Sequence, residues 1–183
     1  MAQRGEEVNI APAGVTEFLK FIRRGGSVRR FHTIPTLHEN SVAEHSFGVA
    51  WLLYLLTRGS PSAELLLAGL SHDLAEQVTG DIPGPAKRLF GLRGTFSDIE
   101  KNILNGQSLW APAAGLSEAD SRILKMADCM DGMLYCWEER RYGNKNVDEA
   151  FHNYSAYVSD LAPYGLEQHV FQVILELYRK EEE

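Results

Sequence analysis

The sequence has few cysteines, few histidines and too little positive charge to balance its acids. Cys129 and Cys136 are the only cysteines among 183 residues. Seven positions apart in a strongly helical segment, they would stand about 10 Å from each other along the axis, too far to bridge. No paired C-x-x-C spacing occurs, which argues against a thiolate zinc site, and two reduced thiols suit a cytoplasmic protein. Lys and Arg number 18 against 25 Asp and Glu, for a net charge of -7. Broad electrostatic binding of DNA or RNA needs the opposite balance, so no nucleic-acid partner is expected. A small anionic ligand in a locally basic pocket remains compatible with it. No apolar run approaches the ~18 residues of a membrane span, and the opening MAQRGEEVNIAPAG lacks the apolar core of a signal peptide. A soluble cytoplasmic protein with no membrane partner is the expectation.

With 44% apolar and 23% charged residues, the composition suggests neither disorder nor a disulfide scaffold. One domain over residues 1–183 is expected from the length. Strand-like alternation is scarce, whereas apolar residues recur at helical spacing, as in Val15, Phe18, Leu19 and Ile22 and again in Val49, Leu52, Leu53 and Leu56. The fold class is therefore all-α. Start and stop signals predict helices over residues 12–24, 41–58, 61–75, 83–90, 95–106, 117–142, 147–162 and 165–181. They include the capping box from Ser41 to Glu44, Ser60-Pro61 before a helix, and Ser117 with Asp120 at the start of the longest one. No internal repeat is present.

The helices over 41–58 and 61–75 share a connection of only a few residues, which makes them antiparallel neighbours. His45 lies about 14 residues before the bend and His72 about 12 after it, so at about 1.5 Å per residue both sit roughly 20 Å from it. The two imidazoles should meet at one level. Asp73 follows His72 and could join it on one ion if the last turn loosens; alternatively it caps the following turn. Asp128 is the strongest candidate for a fourth ligand, because a carboxylate in the mostly apolar run around Met126 and Cys129 needs a partner; Lys125 could equally provide one. Asp131 reads as solvent-facing or hydrogen-bonded rather than as a ligand. Imidazole with carboxylate suits Zn, Mn, Co, Fe or Mg, so the divalent ion stays open.

A histidine early in one helix, an adjacent His-Asp at the end of the next and an Asp on a later helix resemble the metal set of the HD-domain phosphohydrolases. Val42-Ala-Glu-His-Ser46, His72-Asp73-Leu-Ala-Glu76, Thr79-Gly-Asp81-Ile-Pro83 and Lys125-Met-Ala-Asp128 are similar to the YfbR-like 5'-deoxynucleotidase branch. Arg30-Phe31-His32 is similar to a segment of the phage dATP triphosphohydrolases, which usually carry Trp where this chain has Phe31. The resemblance implies a compact HD-domain helical bundle with metal ligands His45, His72, Asp73 and Asp128. Residues 74–127 contain no histidine, and the binuclear HD phosphodiesterases draw extra ligands from that interval, so one ion is expected.

The resemblance also implies roles at the substrate. Glu76, one turn beyond His72, would handle the proton, with Asp81 in reserve; Asp81 could instead be a turn former after Gly80. Arg30, Lys87 and Lys125 would meet phosphate. Phe31 would stack on a base, Thr33 contact its edge and Pro85 pack on the deoxyribose, although Phe31 also reads as a core aromatic. Several cations suit a polyphosphate, so the leading expectation is dNTP hydrolysis, dATP first, to deoxynucleoside and triphosphate. A 5'-deoxynucleotidase acting on monophosphates is the alternative, and a non-catalytic nucleotide sensor a further one. Relatives are commonly homo-oligomers, and Trp110, Trp137 and the tyrosines from Tyr154 to Tyr164 could include an interface.

Overall fold

The computed structural model describes residues 12–107, 115–162 and 164–181. Among them no strand forms, only an isolated antiparallel bridge between Arg29 and Ser41. The helices are α1 Pro12–Gly26, α2 Val42–Leu56, α3 Ala63–Ser71, α4 Glu76–Thr79, α5 Gly84–Leu89, α6 Arg93–Asn105, α7 Glu118–Arg141, α8 Asp148–Leu161 and α9 Gly165–Arg179, with a 3₁₀ turn Lys145–Val147 before α8. Trp110 lies outside the described residues.

Local signals fix most helix starts. Ser41 and Glu44 form the expected reciprocal cap of α2, and the Ser117 hydroxyl accepts the Asp120 N–H at 3.0 Å to begin α7. The start of α3 differs: Ser62 is its cap, accepting the Leu65 N–H at 3.1 Å, because Ser60 precedes a proline and is steered away from helix. α3 also stops at Ser71 rather than running on to residue 75. Beyond it Leu74 N–H donates to the Ser71 carbonyl at 3.1 Å and Glu76 N–H to that of Asp73 at 3.0 Å. These tighter three-residue bonds are the loosened turn that lets His72 and Asp73 face one centre.

The core is built around α7, which packs on α2, α8 and α9. Val49 and Leu53 of α2, Met126, Met130 and Met133 of α7, and Val158 of α8 have no exposed surface; each such side chain contributes about 1.5–3 kcal/mol relative to remaining in water. Gly69 and Gly132 permit the close crossings, because a Cβ on Gly69 would lie 2.5 Å from Leu53 Cδ1 and one on Gly132 2.8 Å from the Tyr154 ring. Cys129 and Cys136 are buried and unbridged, and burial pushes the Cys129 thiol up to about 12.

Two apolar faces are not core. α1 leaves Val15, Leu19 and Ile22 exposed and buries Phe21, in a small cluster with Val42 and Leu74. α1 packs chiefly on α2 and α4, with Ile103 and Leu104 of α6 reaching the Phe21 cluster, and among the described residues nothing buries its outer stripe. α2 is apolar on its outer side too, where Phe47, Trp51 and Tyr54 form an edge-to-face ladder in the open.

Candidate metal centre

The α2–α3 hairpin brings His45 and His72 to one level, with their Nε2 atoms 3.3 Å apart. α7 crosses behind the hairpin and sets Asp128 Oδ1 3.3 Å from His45 Nε2. Asp73 Oδ2 lies 3.4 Å from His72 Nε2 and 3.6 Å from His45 Nε2. Donor atoms of His45, His72 and Asp128 all fall within 4.8 Å of one another, the one such group among the described residues. Asp73 stands beside this trio, held by Arg30 Nη1 at 2.6 Å.

The orientation of the two rings tests whether a cation fits. His72 Nδ1 lies 2.9 Å from the Gly69 carbonyl oxygen and His45 Nδ1 2.6 Å from Asp131 Oδ2. Both neighbours are acceptors, so each Nδ1 carries the hydrogen. In the neutral rings both Nε2 lone pairs then point at each other and at Asp128, an arrangement that is repulsive until a positive charge enters. Imidazole nitrogens and carboxylate oxygens are donors for a divalent ion, so the residues present fit one.

The surrounding charges bear out that reading. Burial and Arg30 press His45 toward its neutral form, but Asp128 and Asp131 outweigh them and hold it above its ordinary value. Burial would raise Asp128, yet Lys125 and His45 hold it well below the usual carboxylate range; Lys125 Nζ lies 2.5 Å from Asp128 Oδ2. The expected pairing with Lys125 and the expected ligand position therefore coexist, one on each carboxylate oxygen. Glu76 is the opposite case. It is 5% exposed, its Oε2 has no hydrogen-bond partner, and burial with the charges of Asp73 and Asp81 pushes it up to about 10. A carboxyl that keeps its proton at neutral pH can donate it.

Asp73, Asp128 and Glu76 open into a cavity of about 660 Å³. The residues expected at the substrate also line it: Arg30, Phe31 and Thr33 from the loop before α2, Asp81 and Pro85 beyond α4, and Lys87 and Lys125, whereas His45 and His72 stand behind Asp73 and Asp128 and do not. Arg30 is buried, donating to Asp73 while its Nη2 stays 4.0 Å from Asp128. Lys87 is shared with Glu100 at 3.1 Å. Phe31 has φ of 54°, uncommon for a bulky residue, with its ring 4.5 Å from Tyr135. It thus faces the cavity and packs on the core. Asp81 follows Gly80, whose φ is 72°, and its Oδ2 lies 3.9 Å from His32 Nδ1.

Sequence reading missed the far wall. Arg88 and Arg93 come from α5 and α6, and Asn153, Tyr154 and Tyr157 from α8. The tyrosines read as core or interface because nothing local shows that α8 closes the cavity; Trp137 is half-buried against the core. Asp131, expected to be solvent-facing or hydrogen-bonded, is hydrogen-bonded to a partner 86 positions away. The available signal was its place one turn beyond Asp128.

The chain matches the family described as 5'-deoxynucleotidase YfbR-like over residues 17–174. It is 27% identical over 150 residues to a dATP triphosphohydrolase of Salmonella phage PMBT28, covering 73% of this chain and 75% of that one. It is also 27% identical over 150 residues to a 5'-deoxynucleotidase of Erwinia tasmaniensis, covering 70% and 76%. Among solved structures it resembles the cyanophage S-2L HD phosphohydrolase DatZ bound to dA and one catalytic Zn²⁺, at a TM-score of 0.58 and 19% identity over 90% or so of the chain (89%, and 95% of that chain). An HD-domain phosphohydrolase from Listeria innocua aligns with a TM-score of 0.61 at 18% identity, covering 91% of this chain and 92% of that one. The matched family spans the hairpin, Asp128 and the cavity walls alike, and the chain belongs to the YfbR-like 5'-deoxynucleotidase family of HD-domain, metal-dependent phosphohydrolases.

Proposed function

We propose that this enzyme hydrolyses 2'-deoxynucleoside triphosphates, dATP first, to deoxynucleoside and triphosphate. One observation carries the reading: five cationic side chains, Arg30, Lys87, Arg88, Arg93 and Lys125, line the same cavity as Asp73 and Asp128. So many cations around one acidic centre suit a polyphosphate better than a single phosphate. The dATP triphosphohydrolase of Salmonella phage PMBT28 is a relative with that activity in its name.

His45, His72, Asp73 and Asp128 would hold one divalent ion, Zn, Mn, Co, Fe or Mg. When bound, it would polarise a phosphate oxygen and ease deprotonation of an attacking water. Arg30, Lys87 and Lys125 bind and orient the phosphates. Water adds to the α-phosphorus, the bond from phosphorus to the 5'-oxygen breaks, and protonated Glu76 supplies the leaving oxygen with its proton. Asp81 is the reserve for that proton, within reach of His32. Phe31 faces the base, Thr33 its edge and Pro85 the deoxyribose.

A second reading has its own support: removal of phosphate from deoxynucleoside 5'-monophosphates, the activity in the names of the Erwinia and Escherichia coli relatives. The chemistry is the same cleavage with a shorter phosphate. Incubation with each dNTP and dNMP plus Mn²⁺, Co²⁺, Zn²⁺ or Mg²⁺, followed by chromatography of the products, separates the two. Triphosphate release supports the first reading and orthophosphate from monophosphates the second. Nucleotide binding without turnover under every metal would instead mark a sensor.

No described helix is long and apolar enough to cross a membrane. We read the protein as a cytoplasmic homo-oligomer, and the open ladder of Phe47, Trp51 and Tyr54 joins the tyrosines from Tyr154 to Tyr164 as a face to examine for subunit contact.

A further inference from the structure

We propose that Asp131 is a positioning residue for His45, and that Gly48 is the space that allows it. Asp131 lies on α7 one turn beyond Asp128, so a single helix supplies groups to both sides of one imidazole. Asp128 Oδ1 is 3.3 Å from His45 Nε2 and Asp131 Oδ2 is 2.6 Å from His45 Nδ1. The ring is 1% exposed, so no solvent competes for that hydrogen bond. Asp131 does not line the substrate cavity and acts only through the histidine.

The second, independent observation is steric. Gly48 stands one turn beyond His45 on α2, and a Cβ there would overlap Asp131 Oδ1. α2 and α7 cross closely enough for the carboxylate to occupy the volume of a missing side chain. Any residue larger than glycine must displace either Asp131 or the helix. His72 needs no such device, since its Nδ1 is met at 2.9 Å by the Gly69 carbonyl of its own helix. The two ligands are therefore secured differently: His72 by local backbone, His45 by the packing of α2 on α7.

A carboxylate on the far nitrogen fixes the tautomer, aims the lone pair and makes the ring a stronger donor; loss of such a partner typically lowers metal affinity 10- to 100-fold. The inference rests on the metal centre and not on which nucleotide is cleaved. Its test is Zn²⁺ affinity, measured by competition with a chromogenic chelator, beside thermal unfolding in excess chelator. Asp131→Ala should weaken Zn²⁺ binding roughly 10- to 100-fold. Asp131→Asn, whose amide oxygen can still accept from Nδ1, should recover part of the loss. Gly48→Ala leaves Asp131 chemically intact and should nevertheless weaken binding.

His72→Ala in the same titration reports on the centre itself. If it binds Zn²⁺ as the wild type does, the metal centre is misplaced and the role of Asp131 falls with it. If His72→Ala loses binding while both Asp131 variants keep wild-type affinity, only the positioning role is overturned. Lowered melting of the metal-free Asp131 variants with unchanged affinity would also overturn it, in favour of a purely structural contact.

Discussion

Replacing Glu76 by glutamine keeps the shape of the side chain and removes its ionisable proton, with two consequences of opposite sign. Glu76 is 5% exposed, and burial with the charges of Asp73 and Asp81 pushes its carboxyl up to about 10. The unfolded chain releases the same proton near the ordinary value of 4.5. Folded protein therefore holds a proton that unfolded protein does not, and stability falls as pH rises from about 4.5 toward about 10. Each pH unit in that interval is worth about 1.4 kcal/mol. At pH 7 the metal-free Glu76→Gln protein should accordingly be more stable than wild type by roughly 3 kcal/mol, an upper figure, and equal to it near pH 4. In a chain of this size 1 kcal/mol moves the melting temperature about 2–4 °C. Melting curves in excess chelator should thus separate by roughly 6–12 °C at pH 7 and converge in acid.

The same substitution should cost turnover about 100-fold or more at unchanged metal content, because the leaving oxygen loses its proton donor. Wild-type activity should decline on the alkaline side as Glu76 ionises. A bound cation lowers that midpoint from about 10 toward neutrality, and the variant should lack this limb. Equal melting at every pH, together with turnover within a few-fold of wild type, would refute both the buried proton and its catalytic use.

Other outcomes follow from the same geometry. Zn²⁺ affinity should fall as pH is lowered through the raised midpoint of His45, since the ion and a proton compete for Nε2; chelator competition at several pH values measures it. Gly69→Ala should destabilise the protein by about 1–3 kcal/mol, read as a lower denaturation midpoint, because the new Cβ would meet Leu53 Cδ1 at 2.5 Å. Glu139 is buried and accepts the N–H groups of Leu37 and His38 at 2.7 and 2.8 Å and the Asn144 amide at 2.6 Å. It ties down the loop that carries Arg30 and Phe31. Glu139→Ala should cost about 1–3 kcal/mol of stability and raise KM for deoxynucleotide more than it lowers kcat; unchanged KM would detach that clamp from substrate binding.

The hairpin was legible because its logic is one-dimensional. A short connection makes α2 and α3 antiparallel, and a fixed rise per residue then sets His45 against His72. Asp128 could be singled out because a carboxylate in an apolar run demands a partner. A loosened last turn at His72 and Asp73 was foreseeable, but the stop of α3 at Ser71 was not, because no proline or glycine between Ser71 and Ala75 marks it. The open stripe of α1 was misleading for a related reason: helical periodicity announces an apolar face without saying that anything covers it.

The sequence by itself determined the all-α class, the hairpin, and a set of imidazoles and carboxylates suited to a divalent ion. Only the tertiary structure decided what holds that set in place. Asp131 meets His45 because α7 crosses α2 at Gly48, and Tyr154 and Tyr157 face the cavity because α8 packs on α7 at Gly132. Such relations join residues far apart in the chain, through contacts whose strength depends on distance in space, and local pattern carries no record of them.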